Sequence, residues 1–319
     1  MEKKPLVAIV GPTAVGKSAL AIELAAMLDG EIVSADSMQV YKGMDIGTAK
    51  LTEEEMVASN GIKIPHHLID FLSPTENFNV AEYQNLAREK IAEIHEKGKI
   101  PFLVGGTGLY INAVIDKYDF ENSPVNEDLR KRLWEEAQEN GNLYIYEKLK
   151  KVDPITANKL HPNNLKRIIR ALEYYYSTGK LFSQKKITKK ESIYKLAMIG
   201  LNCERSVLYD KINKRVELML KNGLVDEVKM LLDKGVTTSY TAMQGLGYKQ
   251  IAQYLRGEIS YEEAVRRLKR DTRHFAKRQL TWFRRDERII WYEVNNNSRI
   301  IDLAKKIKLQ ICRIINMKC

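Results

Sequence analysis

The chain has 319 residues, 44% of them hydrophobic and 29% charged, with a formal net charge of +11. That is enough apolar material for one large domain or two without disulfide or metal staples. Its three cysteines show no CxxC or Cys/His cluster, so neither a disulfide framework nor a zinc site is expected. No apolar run approaches the roughly 18–20 residues of a membrane span, and residues 1–5 lead into a core strand rather than a signal peptide. A cytoplasmic protein is expected, and its positive charge suits a large polyanionic partner.

In chain order, Leu6-Val7-Ala8-Ile9-Val10 reads as a buried parallel strand, and Ala19, Leu20, Ile22, Leu24, Ala25 and Leu28 as the apolar pattern of a helix. Between them lies Gly11-Pro12-Thr13-Ala14-Val15-Gly16-Lys17-Ser18. Strand, GxxxxGK[ST] and helix together form the context a phosphate-binding P-loop requires. Loop amides and the helix N-terminus direct positive charge into one concavity. Lys17 adds a full charge there, and Ser18 offers a hydroxyl to Mg²⁺. Residues 31–35 read as a second strand ending at Asp36, at the sheet edge where open α/β folds bind ligands. His66-His67-Leu68-Ile69-Asp70 reads as a further short strand, residues 79–97 as a helix, and 100–104 as a buried strand running into Gly105-Gly106-Thr107-Gly108. The two histidines lack further ligands at metal spacing, so they are expected to shape the sheet edge.

The alternation stops at about Asp119. Turns at Asn140-Gly141, Asp153-Pro154, His161-Pro162 and Thr178-Gly179 separate helical segments up to Lys195. The expected organisation is therefore a parallel α/β core, 1–118 with 196–319, interrupted by a helical insertion domain over 119–195. In the core, 196–201 returns to the sheet, followed by helices around 204–222, 224–233 and 246–256. A long helix starts at Ser260, where Ser260-Tyr261-Glu262-Glu263 has capping-box spacing, and runs to about Arg285. Residues 288–294 form a last strand and 298–316 an amphipathic helix.

Between Tyr261 and Arg288 ten basic residues face five acidic ones, and Lys180, Lys185, Lys186, Lys189 and Lys190 make a second basic stretch. Two basic regions beside a phosphate site favour a nucleic-acid partner. Trp282 and Phe283 are expected to pack inward rather than stack on bases. Strand 100–104 carries no terminal carboxylate to hold Mg²⁺, which fits poorly with an ATPase.

Read jointly, several motifs carry a resemblance: the Gly11–Ser18 loop, Asp36-Ser37-Met38-Gln39-Val40-Tyr41, Gly43 to Lys50, His66 to Asp70 and Gly105 to Tyr110. Arg170-Ala171-Leu172-Glu173, Gly245-Leu246-Gly247-Tyr248-Lys249 and Lys277-Arg278-Gln279-Leu280-Thr281-Trp282 continue it, in order, to about residue 290. Together they resemble the tRNA dimethylallyltransferase (isopentenyltransferase) family in its bacterial form, without the zinc-finger extension of some eukaryotic relatives. The resemblance implies transfer of a dimethylallyl group from its diphosphate to the exocyclic amine of the adenosine 3′ of the anticodon, releasing pyrophosphate.

It also implies roles. Gly11, Pro12, Thr13, Ala14, Val15, Gly16, Lys17 and Ser18 hold the diphosphate, with Mg²⁺ on Ser18. Asp36 takes the proton of the amine, Thr107 contacts the departing oxygen, and Arg215 faces the diphosphate. Ser37, Met38 and Gln39 hold the flipped nucleotide beside Asp36 and Thr107. Arg130, Lys166, Arg167, Ile168, Ile169 and Arg170 touch tRNA from the insertion. Gln244, Gly245, Leu246, Gly247, Tyr248, Lys249, Lys277, Arg278, Gln279 and Arg284 touch it from the core. The partners are the tRNA anticodon stem-loop and dimethylallyl diphosphate, and nothing demands a dimer. The rivals are a kinase on the same loop, a prenyltransferase for free adenine nucleotides, and a non-catalytic RNA binder that leaves Asp36 and Thr107 without a task.

Overall fold

The structure, a computed structural model, describes residues 2–118, 126–184, 191–295 and 299–317. The chain divides into two compact units, Met1–Asp116 with Ser192–Cys319, and Lys117–Glu191.

The first unit is built on a six-stranded sheet: β1 (Pro5–Val10), β2 (Gly30–Ser34), β3 (His66–His67), β4 (Ile100–Gly105), β5 (Lys195–Asn202) and β6 (Ile289–Glu293). The strand order is β3-β2-β4-β1-β5-β6 and every pairing is parallel. Crossover helices cover both faces: α1 (Lys17–Met27), α2 (Val80–Glu96) and α3 (Gly108–Ile115). The period of two sorts β1 between two cores. Val7 and Ile9 pack with Leu20 and Leu24 of α1 on one face, whereas Leu6, Ala8 and Val10 pack with Tyr83, Ile91, Ile111 and Val114 on the other. Helix α3 is an element the sequence reading lacks, hidden by the glycines before it.

Asn79 caps α2 with a reciprocal box: its Oδ1 accepts the Glu82 N–H at 3.1 Å, and Glu82 Oε2 accepts the Asn79 N–H at 2.8 Å. At β3, His67 Nε2 lies 2.8 Å from Glu31 Oε2, and Lys97 Nζ approaches the same oxygen at 3.1 Å. Burial alone would raise the Glu31 pKa; the His67 and Lys97 hydrogen bonds hold it below the usual carboxylate range. The histidine pair therefore ties down the sheet edge, as expected. No group of three or more potential His, Cys, Asp or Glu ligands occurs among the described residues.

The second unit holds α4 (Glu127–Asn140), α5 (Asn142–Val152), the short α6 (Pro154–Ala157) and α7 (Leu165–Thr178). Their shared core is Leu133, Ala137, Ile145, Leu149, Leu165, Ile168, Ile169 and Leu172. Asp153 caps α6, accepting the Thr156 N–H at 3.0 Å and the Ser183 N–H at 2.8 Å. Lys185, Lys186, Lys189 and Lys190 of the second basic stretch lie outside the described residues.

Returning to the first unit, the chain continues with α8 (Arg205–Lys221), α9 (Leu224–Asp233), α10 (Tyr248–Leu255), α11 (Tyr261–Phe283) and α12 (Ile300–Ile315). The α12 side chains Ile307 and Ile311 join the core on the α1 face. Val40, Tyr41 and Met44 from the loop after β2 form a further core with Val228, Leu231, Tyr248 and Leu268 of α9 to α11. The capping box expected at Ser260 forms only by half. Ser260 Oγ accepts the Glu263 N–H at 3.2 Å, but the Glu263 carboxylate pairs with Arg266 and Arg267. Two guanidiniums in reach attract it more strongly than one backbone N–H. Cys203 is a buried free thiol, and Cys319 lies outside the described residues. No described helix is long and apolar enough to cross a membrane.

Candidate active site

Parallel strands leave their C-terminal ends on one edge. Three loops meet there: Gly11–Gly16 after β1, 35–50 after β2, and Gly106-Thr107 after β4. Gly11 has φ +145°, and a Cβ on it would lie 2.6 Å from the Leu201 carbonyl oxygen of β5, so only glycine fits. Gly16 turns the chain into α1 at φ +103°, and Ala14 sits in the left-handed region at φ +64°. A non-glycine residue held there stores strain that its surroundings must impose.

Lys17 Nζ donates to the Pro12 carbonyl at 2.8 Å. Desolvation, reinforced by the positive charge of Arg215, lowers its pKa to about 7, while Asp36 pulls the other way. Arg215, on α8, is itself pulled down by burial and supported by Asp36. Two desolvated cations thus face one carboxylate, an arrangement that an anionic ligand would relieve. Asp36 Oδ1 accepts the Met38 N–H at 2.9 Å, which fixes the carboxylate just beyond β2. Thr107 Oγ1 accepts the Ser37 N–H at 3.2 Å and lies 3.5 Å from Ser37 Oγ. Stacked beside this loop, at 4.0 Å between centroids, are Tyr83 and Tyr110; the Tyr83 hydroxyl donates to the Ser34 carbonyl.

A cavity of about 320 Å³ opens here. Thr13, Asp36, Ser37, Thr107, Arg215 and Arg278 give it a polar side. Val216, Met219, Leu246, Leu268 and Phe275 give it an apolar one. None of Val216, Met219, Leu268 and Phe275 was marked by the sequence; they are ordinary helix residues whose common destination only packing decides. Met38, Gln244, Gly245 and Tyr248 complete the wall. Lys277 and Arg284 line a separate cleft of about 560 Å³ beyond β5 and β6, beside Cys203 and faced by Glu204 and Glu293. No residue of the Gly11–Ser18 loop lines that cleft.

Several residues expected at the nucleic acid have internal partners. Gln279 is buried; its Oε1 accepts the Thr13 N–H at 2.8 Å and its Nε2 donates to the Gly106 carbonyl at 3.0 Å. It is a brace between two loops, and it occupies an amide expected to face phosphate. Ile168 and Ile169 are buried in the helical unit's core, because the period of α7 turns them inward while Lys166 and Arg167 stay exposed. Arg130 and Arg170 both clamp the buried Glu173, at 2.9 and 2.6 Å. Gln39 is spent inside its own loop, between the Ser34 hydroxyl and the Thr48 carbonyl. Gly245 and Gly247 are buried, as is Tyr248, whose hydroxyl bonds to Glu227; Gln244 and Lys249 are exposed.

The basic helix α11 is also less free than its composition suggests. Arg266 and Arg267 pair with Glu263, Lys269 with Glu217, and Arg270 with Asp271. Arg278 reaches the cavity. Trp282 and Phe283 pack inward: Phe283 is buried, and the Trp282 ring occupies the space a Gly108 side chain would need, 2.2 Å from its Cβ.

Residues 39–286 match the family model described as IPP transferase. A tRNA dimethylallyltransferase from Halothermothrix orenii is 52% identical over 96% of this chain and 93% of its own length. One from Carboxydothermus hydrogenoformans is 53% identical over 92% and 93%. Among solved structures, the full-length tRNA isopentenylpyrophosphate transferase of Bacillus halodurans superposes with a TM-score of 0.72 at 46% identity, covering 99% of both chains. A eukaryotic dimethylallyltransferase acting on tRNA gives 0.80 at 30% identity, over 99% of this chain and 80% of that one. With the sheet order, the loop after β1 and this breadth of similarity in agreement, the chain belongs to the IPP transferase family.

Proposed function

We propose that the protein transfers a dimethylallyl group from dimethylallyl diphosphate to the exocyclic amine of the adenosine 3′ of the anticodon in tRNA, releasing pyrophosphate. The observation that carries this is the two-faced cavity: Asp36, Thr107 and Arg215 beside an apolar wall of Val216, Met219, Leu246, Leu268 and Phe275. A phosphoryl acceptor needs no such wall, whereas a branched five-carbon group does.

Lys17, Arg215 and the loop amides of Ala14–Ser18 hold the diphosphate and stabilise it as negative charge gathers on the leaving oxygen. Thr107 Oγ1, already oriented by Ser37, donates to that oxygen. The adenine amine is a weak nucleophile because its lone pair is delocalised into the ring. Asp36 accepts its hydrogen bond and takes its proton as the new C–N bond forms and the allylic C–O bond breaks. The Ser18 hydroxyl, on the first turn of α1, is a hard oxygen donor of the kind Mg²⁺ takes, and would hold that ion beside the diphosphate. When bound, Mg²⁺ supplies further neutralisation of the leaving group. Met38, Gln244 and the exposed Arg278 receive the flipped nucleotide. Lys166 and Arg167, exposed on α7, contact the tRNA backbone.

Purified protein incubated with dimethylallyl diphosphate, Mg²⁺ and unmodified tRNA is expected to release pyrophosphate and to yield a prenylated adenosine by nucleoside mass spectrometry. Equal turnover on free AMP would replace tRNA with a nucleotide acceptor.

A further inference from the structure

Glu227 lies on α9, outside every residue given a role above, and is only 8% exposed. Its Oε2 accepts the N–H groups of Asp45 at 2.9 Å and Ile46 at 2.7 Å. Its Oε1 accepts the Gly47 N–H at 3.0 Å and the Tyr248 hydroxyl at 2.6 Å. Each oxygen carries two hydrogen bonds, which fills the capacity of a carboxylate. Three successive amides converging on one anion form a nest, filled here by a side chain remote in sequence.

Packing alone does not call for an acid at this position. The α9 neighbours Leu224, Val228 and Leu231 are buried in an apolar core, where a carboxylate is costly unless fully hydrogen-bonded. What the clasp fixes is specific. Gly47, one of the clasped residues, and Thr48, immediately after it, line the cavity. The Tyr248 ring presses on Gly47 so closely that a Cβ there would lie 2.5 Å from it. The Gln39 amide donates to the carbonyls of Thr48 and Ala49, at 3.3 and 3.4 Å, tying the same strip back to the Asp36 loop.

We propose that Glu227 is a positioning residue for acceptor recognition. It holds the 45–48 strip in the shape that receives the target adenine, and leaves the diphosphate cradle untouched. This rests on the transfer reaction proposed above. Glu227→Gln keeps size but turns an N–H₂ towards backbone N–H or tyrosine O–H donors. Tyr248→Phe removes one bond and keeps the ring against Gly47.

Binding is measured without donor, on an anticodon stem-loop hairpin carrying the target adenosine and on the same hairpin with an abasic site there. The wild type is expected to prefer the adenosine hairpin. Glu227→Gln is expected to lose about tenfold of that preference while binding the abasic hairpin as before. In turnover its KM for tRNA rises and its KM for dimethylallyl diphosphate does not. Tyr248→Phe moves the same readouts in the same direction by roughly two- to threefold, and carries the test if Glu227→Gln does not fold. A lowered Tm with preference and both KM values unchanged would reduce Glu227 to a purely structural clasp and overturn the inference. So would a parallel rise in both KM values, which means collapse of the whole cleft. A wild type with no preference for the adenosine hairpin would overturn the functional reading itself, and the inference with it.

Discussion

The two walls of the cleft are made differently. The side proposed for the diphosphate rests mainly on one run, Gly11 to Ser18, whose backbone is set by its own glycines, by the strand before it and by the helix after it, with Arg215 added from α8. Gln279 braces it from afar, reaching from α11 to Thr13 and Gly106. The opposite side is assembled from residues near 38, 48, 216, 246, 268 and 275, brought together by four helices and a loop that Glu227 clasps from α9. Phosphate is the same in every ligand, and a local motif of amides and one lysine answers it. A particular base and a particular hydrocarbon need surfaces of defined shape, which only long-range packing supplies.

That contrast can be broken by variants that cross it. Asp36 stands between the walls, and Asp36→Ala is expected to give the largest change: kcat lower by about 10²–10⁴, with tRNA affinity within roughly twofold in filter binding. A predominant loss of tRNA affinity would move Asp36 from proton transfer to acceptor binding. Next in size is Gln279→Glu, which loses the donor to Gly106 and sets a negative charge beside the cradle. Pyrophosphate affinity by calorimetry is expected to fall about tenfold or more, while the abasic hairpin binds unchanged. Weakened hairpin binding with intact pyrophosphate binding would place Gln279 on the acceptor side after all.

The smallest effect is on stability. Lys17 titrates near 7 when folded and near 10.5 when unfolded. Between those values the unfolded chain holds the extra proton, so the ligand-free protein gains stability as pH rises from about 7 towards 10.5. Below about 7 both states are protonated, and the desolvation cost is carried in full. Lys17→Met is therefore expected to melt higher than the parent near pH 6.5, by roughly a few degrees. The difference should shrink as pH rises, in paired thermal melts. Proton uptake on pyrophosphate binding at pH 8, read from calorimetry in buffers of different ionisation enthalpy, sharpens the same point. No uptake would mean that Lys17 does not face the anion.

The sequence by itself determined the parallel sheet, the run Gly11 to Ser18, Asp36 at a strand end and the inward packing of Trp282 and Phe283. Each depends on neighbours along the chain: a run of β-branched residues, a glycine where a turn must pass a backbone oxygen, a helical period. Helix α3 escaped the same reading because Gly105, Gly106 and Gly108 look like a loop until Thr107 is seen to turn the chain into a buried helix. Tertiary structure alone decided which polar side chains were free to act. Gln279, expected at the tRNA, is an internal brace; Arg130 and Arg170, expected to touch tRNA, pair with Glu173. Glu227 left no trace in the pattern, because its four partners lie on a loop and a helix that meet α9 only after folding. A hydrogen bond between remote residues has no period and no spacing; it becomes visible only when packing has brought the donor and the acceptor together.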